Sequence, residues 1–246
     1  MNNFQETLLF PVRDAESRKQ FLIACALMLA GFVIPILPVI LLMGYTTKIM
    51  RQIIHEKQAA SMPAWQGSDW SEMFMDGLRL YSAQLVLSLP LLILMGCGMI
   101  SIFAGSAGFA ALADERSQSL APVGGLFLVL GMAIFSVFSI LALPYGVILS
   151  AAQAHVAAKR SFQAAFEFRE WWSIFRKAIG QFIVAYAIII VTSFIFAFVL
   201  QVAMFTIVLI CIIPFLMIPY SAYLMLVTNT VYAQAYASGQ EGIQPA

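Results

Sequence analysis

His55 and His155 are the first residues to ask for chemistry, and each follows a tyrosine, Tyr45 or Tyr145, by ten positions. Histidine titrates near neutral pH and is the commonest metal ligand, so proton transfer or metal binding is the role to test. Neither belongs to a HExxH motif or a His/Cys cluster, and two isolated imidazoles do not make a ligand set. The plain reading is a polar helix end at a membrane surface. Cys25, Cys97 and Cys211 lie inside apolar runs with no CxxC spacing. Free cysteine packs as a small apolar residue, so buried thiols are expected. No GxSxG, P-loop or GxGxxG stands where a strand would lead into a helix. Catalytic, cofactor-binding and metal-binding residues are each read as none, no cofactor is implied, and the chain is not expected to be an enzyme.

The elements that must carry these residues are set by composition. Of 246 residues, 62% are hydrophobic and 10% charged, against roughly 25% charged in an ordinary soluble domain. Residues 20–47, 80–113, 117–158 and 178–240 contain no Asp, Glu, Lys or Arg. Each run exceeds the roughly 18 apolar residues of a spanning helix. The runs are continuously apolar, whereas a barrel strand alternates, so the expected fold is an all-α polytopic transmembrane bundle. A net charge of +1 offers no basic patch for nucleic acid. A cleaved leader is not expected, because the first apolar run is longer than a signal h-region and lacks a cleavage site.

Charge placement orients the bundle. Pro35 and Pro38 interrupt the first run, which is either a turn between two short helices or one kinked span. With a turn, twelve of the thirteen basic residues share one side and only Arg116 lies opposite. Lys and Arg gather on the cytoplasmic side of short loops. This favours about six helices with both termini cytoplasmic, and leaves five as the alternative. The expected organisation is one membrane domain over 1–246. It comprises a cytoplasmic amphipathic N-terminus, 1–19, and cytoplasmic interfacial loops at 48–79 and 153–177, with a break near Gln201 dividing the last run. The cell membrane, as a bacterial inner membrane, is the expected location.

The spans hold no ionisable residue. Gln84, Gln181, Gln201 and Asn229 are read as interhelical hydrogen-bonding groups. Gly98, Ser101, Gly105 and Gly108 place small residues on one helical face, most simply a packing seam. Asp69 and Glu72 have capping-box spacing, so a helix should start at Asp69, with Asp76 and Arg79 paired one turn on. Trp65, Trp70 and Phe74 would lie at headgroup level. The Tyr45-to-Trp70 and Tyr145-to-Trp171 intervals, 25 and 26 residues, suggest an internal duplication. Interfacial aromatic enrichment explains the same pattern without ancestry.

Gly44-Tyr45, the basic Lys48 and Arg51, Met62-Pro63-Ala64-Trp65, Asp69-Trp70, Phe74, Asp76-Gly77-Leu78 and Leu89-Pro90 together resemble domain-of-unknown-function family 4013, a bacterial and archaeal group of membrane proteins. Phe10-Pro11 is similar too. The resemblance covers about the first hundred residues well, with Trp171 as an echo beyond. It implies the architecture and carries no activity or site residues.

The expected role is a non-enzymatic scaffold or accessory subunit. Its cytoplasmic face would be formed by Trp65–Arg79 and Glu167–Lys177, contacting the lipid bilayer and a protein partner. The alternative is a small transporter component for a neutral or lipid-like substrate.

Overall fold

A computed structural model of the chain describes residues 4–65, 69–110, 121–204 and 213–241. These form eight α-helices: α1 (Phe4–Leu9), α2 (Ala15–Ala30), α3 (Leu37–His55), α4 (Trp70–Ala110), α5 (Ala121–Lys159), α6 (Phe168–Lys177), α7 (Ile179–Met204) and α8 (Ile213–Glu241), with a 3-10 turn at Phe162–Phe166. There is no strand among the described residues. Three helices, α4, α5 and α7, are long and apolar enough to cross a membrane, and their exposed side chains are largely Leu, Ile, Val, Met and Phe. The protein is an all-α membrane bundle, as the composition requires.

Local chemistry sets the helix ends. The Asp14 side chain accepts from the Ser17 amide at 2.7 Å and starts α2, and that bond holds its carboxyl below the ordinary range. Gly31 closes α2, and Pro38 stands in the first turn of α3, where its missing N–H costs nothing. The Pro35–Pro38 region is therefore a turn and not a kink. Helix α4 begins at Trp70, immediately after Asp69. Both α4 and α5 run straight through a proline, Pro90 and Pro144. They are about twice the length of one bilayer crossing. Residues 48–55 and 153–159, read from the sequence as loop, are thus helical, whereas 70–79 are helical as the capping-box spacing predicts. Helix α7 continues past Gln201 to Met204.

The fold divides into two compact units, residues 1–84 with 147–246, and residues 85–146. In the first, α3 and α4 touch backbone to backbone. A Cβ on Gly44 would lie 1.7 Å from the Met73 carbonyl oxygen, and one on Gly77 1.9 Å from that of Ile40. In the second, the seam read from the sequence is present. Gly98 and Gly105 on α4 oppose Gly131 and Gly124 on α5, and a Cβ on Gly105 would meet the Leu128 amide nitrogen at 2.6 Å. Small residues permit this approach. Gly105-Ser106-Ala107-Gly108 is helical throughout.

Two expectations for polar and sulfur groups are corrected. Cys97 is exposed and Cys25 only half-buried, because an apolar thiol meets no penalty facing hydrocarbon. Cys211 lies outside the described residues. The Asn229 amide donates to Met225 O of its own helix at 2.8 Å, so it is satisfied locally and not between helices. Gln201 is exposed.

Candidate functional site

Two knots of charged residues form in the first unit. At the first, Asp76 on α4 is 2% exposed at its side chain and receives three guanidinium groups. Arg51 of α3 donates from Nη1 at 3.0 Å. Arg79, one turn along α4, donates at 2.9 Å, which is the pairing its spacing predicts. Arg160 follows α5 with a backbone φ of 52°, which turns the chain back so that its guanidinium reaches Asp76 at 3.0 Å and Glu72 at 3.3 Å. The Asp76 hydrogen bond raises the Arg160 pKa further. Lys48 donates to Asp69 at 2.6 Å beside this knot.

The second knot is built on His155. Its ring is 2% exposed, with Nδ1 2.6 Å from the Tyr236 hydroxyl of α8 and Nε2 3.0 Å from Glu167 Oε2. Glu170 Oε2 lies 3.9 Å from the same nitrogen. His155, Glu167 and Glu170 each offer a ligand-type atom within 4.8 Å of the others. The Lys159 ammonium, one turn beyond His155, hydrogen-bonds both carboxylates. The place a metal cation would take is thus filled by the protein's own cation, and the arrangement reads as an ion-pair knot joining α5, α6 and α8. The Lys159 ammonium, and then the imidazole, hold the Glu167 carboxyl below the usual range. The sequence carried a signal for this set that a motif search misses: His155 and Lys159 stand at i, i+4, and Glu167 and Glu170 at i, i+3.

The two histidines do not meet. His55, the last residue of α3, is exposed and has Nε2 3.0 Å from the Ala158 carbonyl oxygen. The tryptophans of the two proposed repeat units also serve differently. Trp65 stacks on buried Tyr45 with ring centroids 4.0 Å apart, and the Tyr45 hydroxyl donates to Pro63 O at 2.7 Å. Trp171 lies on α6, an amphipathic helix with no counterpart between α3 and α4 among the described residues, and donates to Ala165 O at 3.2 Å. Much of Trp65–Arg79 is therefore committed to holding the fold, leaving Trp70, Met75 and Leu78 exposed.

Helix α6 buries Trp171, Ile174 and Phe175. Phe168, Trp172 and Arg176 form an exposed i, i+4, i+8 stripe with Arg169 beside it, while Glu170 turns to the other flank and reaches Lys159. A half-open cavity of about 430 Å³ lies near the ends of α3 and α8, lined in part by Arg13, Lys57, Gln181, Gln234 and Glu241. The Gln181 Oε1 is buried without a hydrogen-bond partner.

No curated protein and no solved structure matches the chain. One family profile does, over residues 27–205. The match begins after Phe10-Pro11 and extends past Trp171, so it reaches well beyond the first hundred residues on which the resemblance was strongest. On that match the chain belongs to the family described as protein of unknown function, DUF4013.

Proposed function

We propose that the protein is a non-enzymatic scaffold or accessory subunit of the cell membrane, with both termini and both charged knots on the cytoplasmic side. The observation that carries this reading is how its ionisable groups are used. Asp76, Glu72, Arg51, Arg79 and Arg160 satisfy one another, as do His155, Lys159, Glu167 and Glu170. They fasten α3, α4, α5, α6 and α8 into a rigid end and form no chain of titratable groups along the helices, which a proton or ion path would need. The exposed part of that end mixes Trp70, Phe168 and Trp172 with Arg169 and Arg176, the composition of a surface that holds a partner or headgroups.

The half-open cavity favours a second reading, a transporter component for a neutral solute, because Gln181 and Gln234 give its wall uncharged polar groups. Purification from mild detergent with identification of co-purifying proteins separates the two. A stoichiometric partner supports the scaffold. Solute uptake by liposomes that contain the purified protein alone overturns it.

A further inference from the structure

The uncharged part of the α2–α3 hairpin is too short to cross a bilayer. Lys19 is the last charged residue before it and Lys48 the first after it, which leaves 20–30 and 37–47 as its uncharged helical arms. Each arm is 11 residues and so about 16 Å long, against about 30 Å of hydrocarbon. If Lys19 and Lys48 stay among the headgroups, the turn lies near the bilayer midplane.

The turn is made of residues suited to that depth. From Gly31 to Ile40 it contains no polar side chain, and Phe32 and Val33 at its tip are 71% and 83% exposed. In hydrocarbon a backbone donor must find its acceptor within the protein, and five amides of this turn do so locally. Gly31 donates to Leu27 O, Phe32 to Leu29 O, and Val33 and Ile34 to Ala30 O, all between 2.9 and 3.2 Å. Pro35 and Pro38 have no donor to place. Leu37 donates to Pro35 O at 3.0 Å, and to close that bond Ile36 adopts φ 79°, ψ −57°. This is the rare positive-φ γ-turn, strained for a β-branched residue. Water would satisfy the Leu37 amide without that strain, so its presence fits a site that water does not reach.

The neighbouring helices place the tip at the same depth. Gly31 and Phe32 line a groove with Met217, Ile218 and Ser221 of α8. At that level Tyr220 stacks on Phe196 of α7, with centroids 3.4 Å apart. Helix α7 continues to Met204, about 12 Å farther along its axis.

We infer that the α2–α3 hairpin is a re-entrant wedge, entering the membrane from the cytoplasmic side and turning inside it, with lipid acyl chains covering Phe32, Val33 and Ile36. It keeps the N-terminus and Lys48 on one side while adding volume chiefly to the leaflet it enters. The inference rests on the membrane orientation proposed above and not on the scaffold role, which co-purification tests separately.

The test uses the full-length chain with Cys25, Cys97 and Cys211 replaced by alanine, carrying Val33→Cys or, as a reference, Ser161→Cys. In intact cells and in inverted vesicles, a membrane-impermeant maleimide should fail to label Val33→Cys from either side, while Ser161→Cys labels only in inverted vesicles. A nitroxide at position 33 should collide freely with oxygen and little with a polar nickel chelate, the signature of hydrocarbon. Labelling of Val33→Cys from outside would show a full crossing and overturn the inference. So would shielding of the nitroxide from both oxygen and nickel, which would mean that a second copy or a partner helix covers the tip and not lipid. Phe32→Cys gives the same readings should Val33→Cys accumulate poorly.

Discussion

At Asp76 a single carboxylate holds three arginines that arrive from α3, α4 and the end of α5. Removing its charge leaves those guanidiniums crowded without their counter-ion, a change that typically costs about 3 kcal/mol or more when the partner is buried. Asp76→Asn should therefore lower the thermal unfolding midpoint in detergent sharply, while Asp14→Asn, at an exposed helix start, lowers it little. Equal midpoints for wild type and Asp76→Asn would show that the knot is not what fastens the helices. Glu167 makes a pH argument. Its folded pKa lies below the ordinary 4.5, so its stabilisation is fully present above about 4.5 and is lost as pH falls through the depressed value. Thermal scans from pH 7 to 3 should show the Glu167→Gln penalty constant at the upper end and shrinking as pH falls below about 4.5. A penalty independent of pH would mean that packing, not charge, is what Glu167 supplies.

Between helices, contact depends on absent side chains. Gly105 and Gly96 both lie on α4, yet a Cβ at Gly105 would collide with the α5 backbone, while one at Gly96 meets nothing within 4 Å. Gly105→Ala should destabilise the seam by about 1–3 kcal/mol through overpacking. Gly96→Ala should be neutral or mildly stabilising, by up to about 1 kcal/mol of helix propensity. Steric-trap or thermal unfolding of the two variants in the same detergent checks the contrast, and similar midpoints would contradict the close approach. At this scale α6 is the element whose role is least dependent on its own length. It ends one residue before α7 begins, so the start of α7 fixes its place, and its Phe168–Trp172–Arg176 stripe is what it exposes.

For the molecule as a whole, the proposed orientation rests on where the basic residues sit, because the turn between α2 and α3 puts nearly all of them on one side. Ser117→Cys and Ser161→Cys, each on a cysteine-free background, give the direct reading. Ser117→Cys should be labelled from outside and Ser161→Cys only from the cytoplasm, and the reverse pattern would invert the proposed topology. The structure leaves that assignment unaltered whether the first hairpin crosses or turns back, since both arrangements return Lys48 to the side of the N-terminus.

The helical bundle, the Asp76–Arg79 pair and the small-residue seam were legible in the sequence. Each is a local or periodic property: apolar run length, an i, i+3 spacing, glycines on one face. At Pro35–Pro38 the prolines alone left a turn and a kink open, with charge placement favouring the turn that the fold contains. The Asp76 and His155 knots were not, because Arg51, Asp76 and Arg160, or His155 and Tyr236, stand 25 to 84 residues apart, and only the packing of α3, α4, α5 and α8 brings them together. Hydropathy likewise registered 20–47 as one apolar run without showing how deep it goes. The inferred depth rests on the fold dividing the run into two short arms and closing most of the turn's amides locally, because where an N–H finds its acceptor is decided by tertiary geometry and not by composition.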